Sequence, residues 1–517
     1  MPSLSALTVP ESARFQAPPA PSSMPAPAGA PTPGGFDLAG ASVYLIGIGG
    51  CGMSGLARML RGRGALVAGS DASASALTES LALDGIPVGL DQTRLPLPER
   101  CDLVVASAAI KPDNPQLVEA GRRGLPVLTY AQALGRCMLG TTAVTVAGTH
   151  GKSTTTAMLG VALADAGLDP TVIVGATCPQ LGGGFRLGAR AVPLGPLRGQ
   201  PGLLLAEACE FNRSFHSYHP TVAAITSVEA DHLDIYGSLD AVVEAFHVFA
   251  KLLPPADRGG LLLIAEQGAH RREVTAGLDC AVQTIGFAPS ADWSVRFEPE
   301  THRTALVRRG EGLVAAWTSP LPGAHNAMNA ATACALAVLT GADPDKAARS
   351  IASFRGLKRR TEFLGTRPLR AGGSVRVYDD YGHHPTEVGT TLRALRDFER
   401  PEQRGGRLIC VFQPHQHSRT RHLMEEFASA FEAADLVIVP HIYFVRDSIA
   451  EKHMVSAADL VDRLRAKGVQ AMHLYPFEAI VDQLGIVCRD GDLLVVMGAG
   501  PVDQVATGFL AAAPAPR

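Results

Sequence analysis

Two glycine-rich turns, each set between an apolar run and a helical pattern, are the first residues in this chain whose types and spacing point to chemistry. The first, Gly47-x-Gly49-x-x-Gly52, follows SVYLI, opens onto Met53 and Ser54, and is trailed by Asp71 at the end of the next apolar run. Glycines there let backbone N–H groups approach a pyrophosphate at a helix N-terminus, and an acid at the end of the second strand can take a ribose hydroxyl. A dinucleotide and a UDP-sugar present the same diphosphate and ribose, so both fit the turn. The second turn is Gly148-Thr149-His150-Gly151-Lys152-Ser153-Thr154, running straight into TTAMLG. It departs from the usual phosphate-loop pattern, which would place glycine where Val146 stands. Its working parts remain: N–H groups at a helix start, a lysine that reaches β- and γ-phosphate oxygens, and a Ser153 hydroxyl suited to Mg²⁺.

A nucleotide-diphosphate site and a separate ATP site on one chain point to ATP-driven chemistry on a nucleotide-linked substrate. An NAD-dependent oxidoreductase built on the 47–52 turn is the rival from another class, and it leaves the second turn without a task. A nucleotide-binding module without catalysis is a third reading.

The elements that must position these turns follow from the hydrophobic pattern. Apolar runs at 41–50, 65–71, 101–110 and 125–130 alternate with helical patterns, as in a doubly wound parallel sheet. A second alternation starts with the strand before Gly148 and continues through TVIVGA (171–176), GLLLAEA (202–208), TVAAITSV (221–228) and LLLIAE (261–266), with a helical run at 326–341. A third holds SVRVYDDYG (374–382), RLICVFQP (407–414), ADLVIVP (434–440) and DLLVVMGAG (492–500). The expected fold is α/β with three domains: a Rossmann-like unit over 39–138, a central P-loop ATPase-like unit over 139–366 and a Rossmann-like unit over 367–510. The Pro/Ala-rich stretch 1–38 is expected to be a disordered tail, with a second short tail over 511–517. The glycine-rich stretch 181–202 is expected to be an exposed loop or hairpin.

With 517 residues, 46% hydrophobic and 18% charged, and a net charge of −3, the chain is long enough for several cores and shows no global attraction to nucleic acid or membrane. No segment reaches the length of an apolar membrane span, and no basic region precedes an apolar one near the start, so a cytoplasmic location is expected. The nine cysteines form no CxxC pair, which fits reduced thiols.

Read in order, YLIGIGGCGMSGLA, AGTHGKSTTT, EACEFNRSF, ITSVEADHLDIYG, PGAHNAMNA, GLKRRTEFLG, DDYGHHPTEV and FQPHQHSRT resemble the motifs of the Mur ligase family from about residue 41 to 508. The resemblance implies UDP-sugar-binding, ATP-binding and amino-acid-binding domains in that order. It also implies amide formation between the lactyl carboxylate of UDP-N-acetylmuramate and L-alanine, driven by ATP with Mg²⁺ through an acyl phosphate, in peptidoglycan synthesis. A family branch that attaches a recycled tripeptide to the same nucleotide sugar is the near rival. By resemblance, Glu207 and His232 join Ser153 at Mg²⁺, with Lys152 on the phosphates. Glu210 and Asp231 are either orienters or solvated charges.

His325, Asn326 and Asn329 resemble the family's adenine-binding edge, though asparagines there also suit a helix cap. Arg359 and Arg360 would neutralise phosphate, Asp380 would reach the ATP ribose, and Ser107 and Asn114 match a stretch that touches the UDP-sugar. His383, His384 and Arg419 would face the amino acid, the last because a guanidinium grips a carboxylate bidentately. Two departures stand out. Gln416 occupies a position where the family commonly has arginine, with Arg421 or Arg446 as possible substitutes, and Cys209 and Asn212 stand where acids are common. Oligomeric state and the choice among alanine, glycine and serine are left open by the sequence.

Overall fold

The computed structural model of the protein describes residues 36, 38–92, 94, 96–370 and 372–512, and the chain sorts into two compact units. Of the tails expected over 1–38 and 511–517, residues 1–35, 37 and 513–517 lie outside the described residues, and Ala511 ends the helix Asp503–Ala511. The first unit runs to Val228 and includes Val242–Ser319 and Met328–Phe354; the second holds Glu229–Ala241, Pro320–Ala327 and the chain from Arg355 onward.

Two sheets form the first unit. In one, β1 (Ser42–Ile46), β2 (Leu66–Ser70), β3 (Val88–Gly89), β4 (Leu103–Ala106) and β5 (Val127–Thr129) lie in the order β3-β2-β1-β4-β5. All pairs are parallel. The order reverses at β1/β4, and an open α/β sheet forms its binding crevice at the strand ends beside such a reversal. Every residue of Leu103–Ala106 is buried, as a parallel strand covered on both faces requires. Ser75 and Thr129 start their helices through reciprocal capping boxes.

The second sheet holds β6 (Thr142–Ala147), β7 (Thr171–Cys178), β8 (Gly183–Arg186), β9 (Leu203–Ala208), β10 (Val222–Ile225), β11 (Leu261–Ala265), β12 (Ala281–Gly286), β13 (Trp293–Glu298), β14 (Arg303–Arg308) and β15 (Gly312–Thr318). Their order is β15-β14-β13-β12-β11-β10-β6-β9-β7-β8, so β6, which leads into Gly148, lies between β10 and β9. Parallel pairing holds through the centre and gives way to antiparallel pairs at β13/β14, β14/β15 and β7/β8. The stretch 181–202 resolves into a hairpin strand, β8, followed by a loop closed by an Ala191–Pro201 bridge. Strands β12 to β15 are absent from the sequence reading, which passes from LLLIAE to the helix at 326. β13 and β15 alternate buried and more exposed residues around Trp293 and Trp317, the pattern of strands with one wet face, and β15 forms the sheet's edge.

In the second unit β16 (Glu362–Pro368), β17 (Ser374–Asp380), β18 (Leu408–Phe412), β19 (Leu436–Val439), β20 (Ala471–His473) and β21 (Leu493–Met497) lie in the order β16-β17-β21-β18-β19-β20. Only β16/β17 is antiparallel. On one face of this sheet Phe412 packs with Phe427 and Phe431, and the other face packs on Ile480, Leu484 and Phe509, so the sheet is covered on both sides. The three sheets match the α/β, three-domain reading. Among the described residues no helix is long and apolar enough to cross a membrane.

Candidate functional site

In the first unit β6 stops at Ala147, and the chain turns through Gly148 (φ 133°) and Gly151 (φ 81°) into the helix Lys152–Asp165. Both glycines are required. A Cβ on Gly148 would sit 2.0 Å from Thr226 Oγ1, and one on Gly151 would sit 2.4 Å from Asn329 Oδ1. Thr149 N–H donates to Ser227 O at 3.0 Å and His150 N–H to Ser227 Oγ at 3.0 Å, so the end of β10 braces the turn. The first-turn N–H groups of the helix, from Lys152, Ser153 and Thr154 onward, have no intrahelical acceptor and are the natural phosphate contacts.

Lys152 Nζ donates to Gly148 O at 2.5 Å and Thr149 O at 3.0 Å and pairs with Glu210 at 2.9 Å, both side chains being largely buried. Burial alone would lower this ammonium's pKa; Glu210, with Cys209 and Glu207 nearby, outweighs it and holds the lysine above its ordinary value. Glu210 is therefore a buried counter-ion, which decides between the two readings left open for it. Ser153 Oγ donates to Glu207 Oε2 at 3.0 Å, while Gly175 N–H donates to Glu207 Oε1 at 2.6 Å. The pairing of Val146 with Glu207 in the β6/β9 register is what brings that carboxylate beside the turn. A hydroxyl and a carboxylate at this spacing form a hard-oxygen pair of the kind that suits Mg²⁺. Asn329 Oδ1 accepts from Thr155 Oγ1 at 3.3 Å, tying its helix to the phosphate-loop helix.

Beside the Gly47 turn lies a cavity of about 650 Å³ at the carboxyl ends of the first sheet's strands. Gly52, Met53 and Ser107 line it, as do Tyr130, Gln132 and, from the loop after β9, Asn212 and Arg213. The other residues assigned to the nucleotide sugar shape the frame. Gly47 (φ 80°) passes Ser107 so closely that a Cβ would lie 2.9 Å from it. Asp71 Oδ2 accepts from Gly49 N–H at 2.8 Å, Ser54 Oγ donates to Cys51 O at 3.0 Å, and Asn114 Oδ1 caps its helix at Gln116 N–H, 2.9 Å away. Tyr130 and Arg213 were not singled out from sequence. For Tyr130 the capping box at Thr129 marks only a helix start; Arg213 sits inside EACEFNRSF, where residue type alone does not separate it from a solvated arginine.

The second unit carries the remaining candidates. Arg419 donates to Asp231 Oδ1 through Nε at 3.1 Å and Nη2 at 2.8 Å, with both side chains buried. Burial would raise the Asp231 pKa, but Arg419, His232 and His383 hold this carboxyl well below the usual range. Asp231 is thus also a paired, buried charge. His232, left-handed at φ 52°, lies next to it, its Nε2 3.5 Å from Asp231 Oδ2. The ring of His384 accepts from Thr386 N–H at Nδ1 (3.3 Å) and meets Ala230 O at Nε2 (3.3 Å), which specifies a neutral tautomer with the proton on Nε2. Burial pushes His383 down to about 4, and burial together with the neighbouring His383 pushes His415 down to about 3. His383 and His415 are therefore neutral imidazoles at pH 7.

Asp380 is buried and accepts from Thr361 N–H at 2.6 Å and Gly382 N–H at 2.6 Å, and burial raises its pKa. Arg359 Nε donates to Asp379 Oδ2 at 3.2 Å and its Nη2 to Gly498 O at 2.7 Å, whereas Arg360 stacks over Tyr381 at 4.9 Å. Asn326 Nδ2 donates to Pro322 O at 2.9 Å, the helix-start role, and desolvation of the His325 ring pushes it down to about 4. Gln416 is buried with φ 69°, and its backbone carbonyl accepts from Thr420. Arg421 pairs with Glu451 at 3.0 Å.

Models of the Mur ligase family match along the chain: the catalytic domain over 42–142, the middle domain over 146–337 and the glutamate ligase domain over 359–500. The UDP-N-acetylmuramate–L-alanine ligase of Mycobacterium sp. (strain JLS) is 40% identical over 483 residues, 91% of this chain and 94% of that protein. The enzyme of the same name from Kineococcus radiotolerans is 41% identical over 473 residues, 90% of this chain and 94% of that one. The crystal structure of UDP-N-acetylmuramate-alanine ligase from Thermotoga maritima shares the fold, with a TM-score of 0.70 at 23% identity over 90% of this chain and 98% of that one.

Proposed function

The chain belongs to the Mur ligase family, and from that premise we propose that it joins L-alanine to the lactyl carboxylate of UDP-N-acetylmuramate in peptidoglycan precursor synthesis, releasing ADP and phosphate. The observation that carries this reading is the loop after β9. Glu207, at the end of β9 itself, meets Ser153, the loop's first residues bring Glu210 to Lys152, and its next ones, Asn212 and Arg213, complete the wall of the cavity at the Gly47 turn. One short segment thereby serves both an ATP-type loop and a nucleotide-sugar-sized cavity.

A carboxylate is a poor electrophile, and the first step converts one of its oxygens into a leaving group. The lactyl oxygen attacks the γ-phosphorus, the bond to the β-bridging oxygen breaks, and ADP departs from the acyl phosphate. Lys152 and the first-turn N–H groups carry the charge that spreads over the phosphoryl oxygens. For Lys152 this means exchanging the Gly148 and Thr149 carbonyls for phosphate oxygens. Ser153 and Glu207, with His232 as a third proposed contact, would hold Mg²⁺, which would supply charge neutralisation at the phosphates. The alanine amine then attacks the acyl carbon, phosphate leaves from the tetrahedral intermediate, and the amide remains. Arg419, His383 and His384 are the proposed amino-acid contacts. His383, neutral at pH 7, adds no charge that repels an ammonium, while His384, with Nδ1 taken by Thr386 N–H and Nε2 on Ala230 O, serves to orient. The adenine edge is assigned to His325, Asn326 and Asn329, the ribose to Asp380 and phosphate charge to Arg360.

Phosphate release is the test, with ATP, Mg²⁺ and UDP-N-acetylmuramate present and L-alanine, glycine, L-serine or L-Ala-γ-D-Glu-diaminopimelate added in turn. Turnover that depends on alanine and a product heavier by one alanyl residue are expected. Turnover with the tripeptide alone would make the chain a recycling ligase.

A further inference from the structure

Among the described residues on the wall of the 650 Å³ cavity, Arg213 is the only one with a charged side chain. The glycine turn opposite it offers backbone dipoles but no net positive charge, and a diphosphate brings a localised double anion into a pocket otherwise lined by Met53, Ile110, Leu117 and small polar groups. The backbone beneath Arg213 is held in a costly shape. Asn212 (φ 52°, ψ 33°) and Arg213 (φ 53°, ψ 27°) are consecutive left-handed residues, and neither is glycine. Such a turn persists only where its surroundings enforce it.

The enforcement is visible on both sides. Upstream, Arg213 N–H donates to Glu210 O at 2.9 Å, and Glu210 is itself fastened to Lys152. Downstream, Phe215 is fully buried, stacked on Phe249 at 4.8 Å and edge-on to Phe246 at 5.3 Å. Ser217 O passes so near the helix Tyr130–Met138 that a Cβ on Gly135 would lie 1.8 Å from it. A loop pinned at both ends and twisted left-handed at its tip presents this cation to the cavity.

We propose that Arg213 is a nucleotide-sugar-binding residue whose guanidinium takes the diphosphate against the Gly47–Gly52 turn. The assignment rests on the reading that this cavity receives the UDP-sugar. It also gives the β9 loop a coupling role, because the residue that grips one substrate's phosphates follows shortly after Glu210, which grips the lysine assigned to the other's.

The test is calorimetric binding to the full-length protein, without ATP, of three ligands: UDP, UDP-N-acetylglucosamine, which lacks the lactyl group, and UDP-N-acetylmuramate. Arg213→Met should weaken all three by a similar factor, roughly ten- to hundredfold for a lost charge-assisted contact, and should flatten the salt dependence. Arg213→Lys, which keeps the charge without the fork, should fall between. Affinity for a non-hydrolysable ATP analogue and the melting temperature should not move, which separates lost binding from lost folding. A loss confined to UDP-N-acetylmuramate would place Arg213 on the lactyl carboxylate and overturn the proposal, as would unchanged binding of all three. If the unsubstituted protein bound none of them, the cavity reading itself would fall, and the proposal with it.

Discussion

Replacing Glu210 by glutamine removes a charge and almost nothing else, so its effect measures what the Lys152–Glu210 pair does. The carboxylate is 4% exposed and the lysine 16%, at 2.9 Å. Breaking a buried pair by deleting one partner costs about 3–5 kcal/mol, because the other charge is stranded. Glutamine keeps an acceptor where Oε1 stands, 3.1 Å from Nζ, and a retained hydrogen bond returns about 1–1.5 kcal/mol. Glu210→Gln should therefore destabilise the unliganded first unit by roughly 1.5–4 kcal/mol, a fall of about 2–6 °C in its melting transition for a unit of roughly 330 residues. In the complex with a non-hydrolysable ATP analogue and Mg²⁺ the lysine has phosphate oxygens for partners, so the gap between variant and parent should narrow. By linkage the variant should then bind the analogue more tightly than the parent does. Differential scanning fluorimetry with and without the analogue reads both numbers. A fall of under a degree would mean the pair is an ordinary solvated contact, and a gap unchanged by the analogue would mean Lys152 does not exchange partners.

Two other perturbations probe separate parts of the fold. Asp379 is pushed up to about 7, chiefly by burial, against 3.8 unfolded; the folded-state penalty is absent below about pH 4, grows as pH rises and is complete above about 7. At about 1.4 kcal/mol per pKa unit, Asp379→Asn removes a penalty of up to roughly 4 kcal/mol at pH 8 while giving up an Arg359 contact of about 1.5–3 kcal/mol. Urea titrations should show the variant gaining on the parent between pH 5 and pH 8, and a difference that stays flat or runs the other way would contradict the burial argument. Gly135→Ala forces a Cβ to within 1.8 Å of Ser217 O, and overpacking of this kind costs about 1–3 kcal/mol. It should lower the melting temperature and weaken UDP binding together, since Ser217 belongs to the Arg213 loop; normal UDP affinity in a destabilised variant would show that the loop's position does not matter.

Much of the site was legible in the sequence because it sits at strand ends. The turns at Gly47 and Gly148 each follow an apolar run and open a helix, and both appear in the structure as the connections leaving β1 and β6. What escaped the reading has physical causes. Strands β12 to β15 lie toward one edge of their sheet, and their apolar residues are interrupted by charge, as in WSVRFE and RTALVR, so no long apolar run announces them. The left-handed pair Asn212 and Arg213 is enforced by Phe215 and Gly135, which no local pattern links to them. Glu210 and Asp231 read as ambiguous acids because their cations, Lys152 and Arg419, lie 58 and 188 residues away in the chain. Gln416, seen from sequence only as a missing arginine, turns out to be a buried residue at φ 69°, a strained backbone position at the start of the Arg419 helix.

The most direct test of the ligase account follows an atom. UDP-N-acetylmuramate carrying heavy oxygen in its lactyl carboxylate is turned over with ATP, Mg²⁺ and L-alanine, and the phosphate and nucleotide products are weighed by mass spectrometry. Attack of the carboxylate on the γ-phosphorus predicts one heavy oxygen in the released phosphate and none in ADP. Unlabelled phosphate, or label appearing in a nucleotide monophosphate, would contradict activation through an acyl phosphate.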